Sequence, residues 1–209
     1  MSDHPDYSKY CAYTLKWATS DWEVEQARQL RRRVFCDEQQ IFKHDDRDAI
    51  DDRALTLVAM GSQGGWHQQV VGTVRIHREP NDVWYGSRLA VDTDFRTEGQ
   101  LGTALIRLAV SSAHAVGCVR FLATVQRQNE RLFQRLMWHT QDYRTLFGHP
   151  HAVMEADLDA YPPFYHPKGG FVIKARKPKP TQDVWAGLLP NQDAASSSST
   201  MRSNMRSNR

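Results

Sequence analysis

The sequence predicts an α/β fold built on a mixed sheet, and three observations carry that expectation. A strand-like segment followed by an amphipathic helical one opens the chain. Three strand-like segments joined by short turn signals come next, as a meander. After them the order strand, glycine-bearing loop, helix, strand is that of a βαβ unit, whose two strands lie parallel. The chain has 209 residues, 40% of them hydrophobic, enough for one domain of roughly 150 residues with a remainder.

Residues 12–17 (AYTLKW) read as the first strand, and residues 21–35 carry Val24, Ala27, Leu30, Val34 and Phe35 at helical spacing behind a Ser20/Asp21 cap. The acidic stretch KHDDRDAIDD has no apolar period and reads as a loop. Residues 54–60 and 70–77 form a hairpin through SQGG, and Pro80, Asn81 and Asp82 turn the chain into a third strand at 83–91. A helix follows with Leu101, Ala104, Leu105, Leu108, Ala109 and Ser112 on one face, stopped by Gly117. Residues 119–125 (VRFLATV) are a continuous apolar run typical of a buried strand, residues 129–138 a short helix, and 139–143 and 152–156 two last strands around Gly148. The folded domain is expected to span 1–160. From 161 to 209 the composition shifts to Pro, Ser and basic residues, expected to be largely flexible, with Phe171 to Ile173 and later Val184, Trp185, Leu188 and Leu189 as apolar exceptions able to dock back.

Charge and composition exclude several roles. From Tyr161 onward eight basic residues face two acidic ones, so the net charge of +3 divides into +6 for this end and −3 for the rest. A mildly acidic body with a basic, low-complexity end is not the footprint of a nucleic-acid-binding domain, which concentrates basic residues on a folded face. No apolar run approaches the roughly 20 residues that cross a bilayer, and MSDHPDYSKY has neither the basic nor the apolar region of a signal peptide, so no membrane partner is expected. Cys11, Cys36 and Cys118 are too few and too scattered for a disulfide framework, and a reducing cytoplasm is the expected compartment.

The loop FRTEGQLGT has the form of a phosphate site. First-turn N–H groups of a helix lack intrahelical partners and the helix dipole is positive there. Arg96 adds a guanidinium able to clamp a pyrophosphate, and Gly99 and Gly102 let the backbone approach it. A glycine pair before a helix is as often only a turn.

Strand LAV, loop FRTEGQLG, helix TALIRLAVSSAHAVG, strand FLATV and the Asn129 helix occur in the order of the GCN5-related N-acetyltransferases, and the chain resembles that family over most of its body. The family's loop pattern R/Q-x-x-G-x-G/A is matched by Arg96 to Gly99 in its first half and by Gly102 at its end, with one residue inserted between the glycines. LRRRVFCDEQQIF and the Asp-rich loop after it resemble ElaA-type acyltransferases and, more distantly, acyl-homoserine lactone synthases. LGTALIRLAVSSAHA and MEADLDAYPP resemble nitrogen-starvation N-acetyltransferases associated with nitrilase gene clusters. The resemblance implies a sheet of about six to seven strands, about four helices, and a splay between two parallel central strands. It implies acetyl-CoA as co-substrate and no metal. The pantetheine arm would pair with the backbone of Leu89, Ala90 and Val91, and the phosphates would meet Arg96, Thr97, Gly99, Gln100, Leu101, Gly102 and Thr103, with Asn129 and Phe133 beside CoA.

Acyl transfer needs a deprotonated amine and a proton for the leaving thiolate. Where the family often carries a Glu before LAV this chain has Ser87 and Arg88, and where it usually carries a thiolate-protonating tyrosine it has Phe133. Glu38, Asp51 and Asp52 are the expected replacements for the base, Glu38 first, because their segments flank the acceptor cleft in the proteins this chain resembles. Each also reads as an ordinary surface carboxylate. Tyr85, Tyr143 and His139 could supply the acid. His149, His151 and His166 with Asp157 lack the fixed spacing of a metal site, Cys36 reads as a buried small residue, and Asn129 as a helix cap. The expected function is acetyl transfer to a small-molecule amine by direct attack in a ternary complex. Transfer of longer acyl chains and a non-catalytic acyl-CoA-binding module are the alternatives, and self-association into a homodimer is left open.

Overall fold

The chain folds around one sheet in which eight described strands lie in the order β6-β7-β5-β4-β3-β2-β1-β8. The structure, a computed structural model, describes residues 10–98 and 100–175. The strands are β1 (Ala12–Trp17), β2 (Leu55–Gln63), β3 (Trp66–Glu79), β4 (Val83–Val91), β5 (Arg120–Gln126), β6 (Trp138–Leu146), β7 (His149–Ala156) and β8 (Phe171–Lys174). Helix α1 spans Asp21–Arg32, α2 Leu101–Ala115 and α3 Glu130–Arg135. Every strand pairing is antiparallel except that of β4 with β5, the two strands of the βαβ unit.

Alternation along β2 shows how the sheet separates two cores. Leu57 and Ala59 point to the face covered by α2, where Leu105, Leu108 and Ala109 pack, whereas Val58 and Met60 point to the face covered by α1 through Ala27 and Leu30. The start of α1 is secured from inside: the Glu23 carboxylate accepts the N–H groups of Thr19 (2.6 Å) and Ser20 (3.3 Å) and pairs with Lys16 at 2.7 Å.

The helix expected at 21–35 is regular only to Arg32. Residues Arg33–Glu38 form a π-helical turn, closed by bonds such as Gln39 N–H to Val34 C=O at 3.0 Å. Val34, Phe35 and Cys36 are all buried in this wider turn.

The folded region also runs past the expected boundary at 160. Tyr161 is buried, with its hydroxyl accepting from Trp138 Nε1 at 2.9 Å, and Phe164 N–H reaches Ser111 C=O at 3.0 Å. β8 then pairs antiparallel with β1 and raises the strand count from the expected six to seven to eight. Phe171 and Ile173 face the core while Val172 and Lys174 face out. Gly170 enters this strand at φ +69°, and an added Cβ would lie 2.0 Å from Leu15 C=O, so only glycine fits. The later apolar anchors, Val184 to Leu189, lie outside the described residues.

Six charged side chains tie the α1 face to the sheet. Arg31, 2% exposed, bonds Asp46 through Nε at 2.7 Å and Asp51 through Nη1 at 2.6 Å. Arg75, also 2% exposed, bonds Asp51 at 2.8 Å and Asp48 at 2.7 Å. Arg88 closes the set on Asp46 at 2.9 Å and Asp48 at 3.2 Å. The loop KHDDRDAIDD is therefore the acidic half of a largely buried network, pinned at its exposed end by Asp48, whose carboxylate accepts Ile50 N–H at 3.0 Å.

Two outcomes follow from this packing. Truncation after Pro163 removes β8, exposes the β1 edge and uncovers the core under Phe164, Phe171 and Ile173, so the product should melt lower and scatter light on warming, unlike a truncation after Arg176. Asp51→Asn leaves two buried arginines short of a counter-charge and should cost about 3–5 kcal/mol in urea unfolding at neutral pH. Burial alone would raise the Asp51 carboxyl, but hydrogen bonds from Arg31 and the Asp48 N–H, and the charges of Arg31 and Arg75, hold it far below the usual range. Its contribution is therefore present above about pH 4 and fades as pH falls below that, where the unfolded chain takes up the proton first, so wild type and variant should converge in acid.

Candidate active site

β4 and β5 pair only from Val83 with Arg120 to Gly86 with Ala123, although β4 continues to Val91 and β5 to Gln126. Beyond Gly86 the two parallel strands part, and the backbone from Ser87 to Val91 has no strand partner on that side. The cause lies in β4. Thr73 faces Ala90 and Arg75 faces Ser87, so Arg88 and Leu89 together stand opposite Val74 as a bulge. Arg88 takes φ +56°, a left-handed conformation unfavourable by roughly 1–2 kcal/mol for a side-chain-bearing residue. Its guanidinium is held by Asp46 C=O at 2.9 Å and by the carboxylates of Asp46 and Asp48.

A cavity of about 210 Å³ occupies the opening. On the α2 face its walls are Leu89, Ile106, Ala109, Phe133 and Trp138. On the α1 face they are Phe35, Gln39 and Phe42 after α1, Ser87 and Arg88, and His151 with Phe147 from the β6–β7 hairpin. Phe42 and Phe147 meet edge to face, ring centroids 4.9 Å apart, and close that side. Because the lining comes from both faces, the cavity passes through the sheet at the splay. Its α2 end is apolar and its α1 end mixes aromatic and polar groups.

The N-terminus of α2 follows directly from β4. No described side chain caps it, which leaves its first N–H groups for a ligand. Gly102 sits in this first turn, where an added Cβ would meet only Val91 Cγ2 at 3.9 Å, so nothing in the protein itself requires glycine. A bare first turn suits close approach of a phosphate, which is compatible with the CoA expected there. Leu101 is buried and can offer only its backbone, while Gln100 is exposed and Thr103 half-buried. Gly99 and the side chain of Thr97 lie outside the described residues. Asn129 and Phe133 line the cavity, and so does Leu89; Ala90 turns its side chain into the α1-face core.

The base candidates fall in other places than the expected acceptor cleft. Glu38 stands beside the loop that leads into α2: its carboxylate takes Arg96 Nη2 at 2.6 Å and the Thr93 hydroxyl at 2.9 Å, and it does not line the cavity. Arg96 in turn donates its Nε to Val91 C=O at 2.9 Å, so the phosphate-loop arginine is folded back on β4. Asp51 is locked between Arg31 and Arg75 and held so strongly ionised that it is a poor proton acceptor. Asp52 is exposed and does not line the cavity. Of the acid candidates, Tyr85 stacks on His77 at 5.5 Å, Tyr143 donates to Glu130 at 3.1 Å, and His139 is exposed on β6; none lines the cavity. Burial and the charges of Asp46 and Asp37 push the Cys36 thiol up, away from a nucleophile. Among the described residues no group of three or more His, Cys, Asp or Glu could hold a metal ion.

Several cavity residues, Gln39, Phe42 and Phe147 among them, carry no sequence signal of their own. His151, weighed above only in a metal-ligand set with His149, His166 and Asp157, lies opposite Gln126 on β5 and lines the cavity. The available signal was its parity on β7, one residue before Ala152 and so on the other face from it.

Comparison with known proteins agrees with this architecture. The model of the Acetyltransferase (GNAT) family matches residues 13–137. No curated protein sequence matches significantly. Among solved structures, an acyl-CoA N-acyltransferase from Pseudomonas aeruginosa superposes with a TM-score of 0.57 at 19% identity, over 69% of this chain and 98% of that one. Escherichia coli ElaA gives 0.57 at 18% identity over 69% and 98%. The CoA-dependent acyl-homoserine lactone synthase BjaI, solved with SAM and isopentyl-CoA, gives 0.58 at 16% identity over 71% and 86%. At these identities the superpositions speak for the fold, and the family match spans more than half of the chain: the protein belongs to the GNAT acetyltransferase family.

Proposed function

We infer that the protein transfers an acetyl group from acetyl-CoA to a primary amine of a small molecule, by direct attack with both substrates bound. The observation that carries this is the cavity crossing the sheet at the β4–β5 splay, with the uncapped end of α2 beside it. Acyl-CoA supplies an activated thioester. The chain's part is to hold it: Gly102 and the first N–H groups of α2 receive phosphate oxygens, Arg96 adds charge once released from Glu38, and the free backbone of β4 from Ser87 to Val91 offers an extended arm the bonds of a missing strand. Phe133, Ile106 and Ala109 exclude water around the reacting carbon. The acceptor reaches the same point from the α1 face, between Phe42, Phe147 and Gln39. Three unpaired cysteines accord with a reducing cytoplasm.

A second reading keeps the reaction and lengthens the acyl group. The apolar wall formed by Ile106, Ala109, Phe133 and Trp138 favours it, since it offers contacts to methylenes that acetyl lacks.

Acetyl-CoA at a hundredfold excess over its Kd should stabilise the fold by about 2.7 kcal/mol, an upward Tm shift of about 5–10 °C in a thermal melt. Arg96→Ala should weaken CoA binding by about 10–100-fold in calorimetry, through loss of a charge-assisted bond worth roughly 1.5–3 kcal/mol, and Gly102→Asp should abolish it. Glu38→Gln frees Arg96 and should tighten CoA severalfold; unchanged affinity would show that the ion pair does not compete with phosphate. A series from acetyl-CoA to hexanoyl-CoA, read as kcat/KM, separates the two readings: a rise with chain length selects the second.

A further inference from the structure

We propose that His151 is the general base that takes the proton from the acceptor amine, an assignment that rests on the transferase reading above. Register fixes where the side chain points. Val125 pairs with Ala152 in the core under α2, so the next pair, Gln126 with His151, points to the opposite face, where the acceptor enters. Gln126 Nε2 donates to Gln39 Oε1 at 3.1 Å, which places this pair at the wall that follows α1.

The ring is also set in the useful tautomer. His151 Nδ1 lies 2.8 Å from the carbonyl oxygen of His149, and a carbonyl can only accept, so Nδ1 carries the proton. Nε2 then presents a lone pair and makes no hydrogen bond to any described residue. The other titratable side chain lining the cavity is Arg88, which is committed to Asp46 and Asp48 and never deprotonates in proteins. His151 is thus the group lining the cavity with a free lone pair able to accept a proton. The charged and titratable neighbours are Arg144, opposite it on β6; Tyr143 beside that, bonded to Glu130 and stacked on Arg127; His149 on its own strand; and Arg88 across the cavity.

The step balances as follows. A primary ammonium gives one proton to Nε2, and the freed lone pair forms the N–C bond to the thioester carbon. The C–S bond breaks with its electron pair on sulfur, and the second N–H proton goes to that thiolate. The imidazolium releases its proton to solvent, so ammonium and thioester become amide, free thiol and one proton.

The full chain and His151→Gln are assayed with acetyl-CoA and a panel of primary amines, reading free thiol across pH. His151→Gln should lower kcat/KM by about 10²–10⁴-fold with acetyl-CoA affinity unchanged, because CoA is held on the other face. Its residual rate should climb with pH as the amine deprotonates unaided, and added imidazole should restore part of the rate to His151→Gly. In wild-type protein ¹⁵N-labelled at histidine, NMR should show the neutral His151 ring protonated at Nδ1, a readout that needs neither acceptor nor variant. A pH profile of His151→Gln that superimposes on wild type, or a ring protonated at Nε2, overturns the assignment and leaves the transferase reading standing. Wild-type protein that neither binds acetyl-CoA nor releases thiol with any amine overturns both.

Discussion

The alternation of Arg31, Asp46, Arg88, Asp48, Arg75 and Asp51, buried except at its Asp48 and Arg88 end, is the constraint on which the site depends. Three cations and three carboxylates cancel: the arginines come one each from α1, β3 and the β4 bulge, and the three carboxylates all come from the acidic loop. Desolvating such a set is expensive, and a well-packed apolar cluster of equal volume would often be as stable or more so. What an apolar cluster cannot do is dictate geometry. Arg88 adopts a backbone conformation that it would leave if its guanidinium were free, and the bonds to Asp46 and Asp48 hold it there. The bulge turns β4 away from β5, the splay follows, and the cavity is the space so created.

A hole through a sheet solves a problem of access. A CoA thioester is long and anionic at one end, and an amine acceptor is cationic before it reacts. If both entered from the same side, the field that holds the phosphates would act on the acceptor as well. In the proposed reaction the positive end of α2 serves CoA, while the face proposed for the acceptor presents a network whose charges cancel, with Gln39, Gln126 and His151 at the rim. The reacting atoms meet in the middle, where Phe121, Phe133 and Trp138 pack edge to face and keep water out.

Sequence periodicity located most elements because their environment is regular. The strand at 83–91 sits between the two cores and the helix after 101 packs on one of them, and their patterns report it directly. The failures share another cause. Glu38, Asp51 and Asp52 looked alike as acidic loop residues, but their roles depend on which arginine is near in space: Arg96 lies 58 positions from Glu38 and Arg75 lies 24 from Asp51. No local pattern encodes those distances. Phe171 to Ile173 stood out as an apolar segment able to dock back, but not as a strand, because four residues carry no period and their partner β1 lies more than a hundred residues earlier. His151 was legible only by parity, and parity needs a register that the sequence does not supply.

The two departures from the family's catalytic pattern are unequal in cost, and the inequality explains how the site can do without one of them. An alkyl ammonium with a pKa near 10.4 is about 3.4 units from its reactive form at pH 7, or about 4.6 kcal/mol. A thiol near 8.5 is only about 1.5 units from its anion, or about 2 kcal/mol. Leaving as thiolate is therefore tolerable without a dedicated acid, all the more because the attacking nitrogen still carries a proton it must lose. Phe133, standing where the family has a tyrosine, removes a hydroxyl whose contribution was the smaller one, and adds an apolar ring to the wall beside the thioester. The base cannot be given up as cheaply. β4 offers only Ser87, bonded to Arg75 at 3.0 Å, and Arg88, locked into the network, so the proposed base stands on the facing hairpin, in the imidazole of His151.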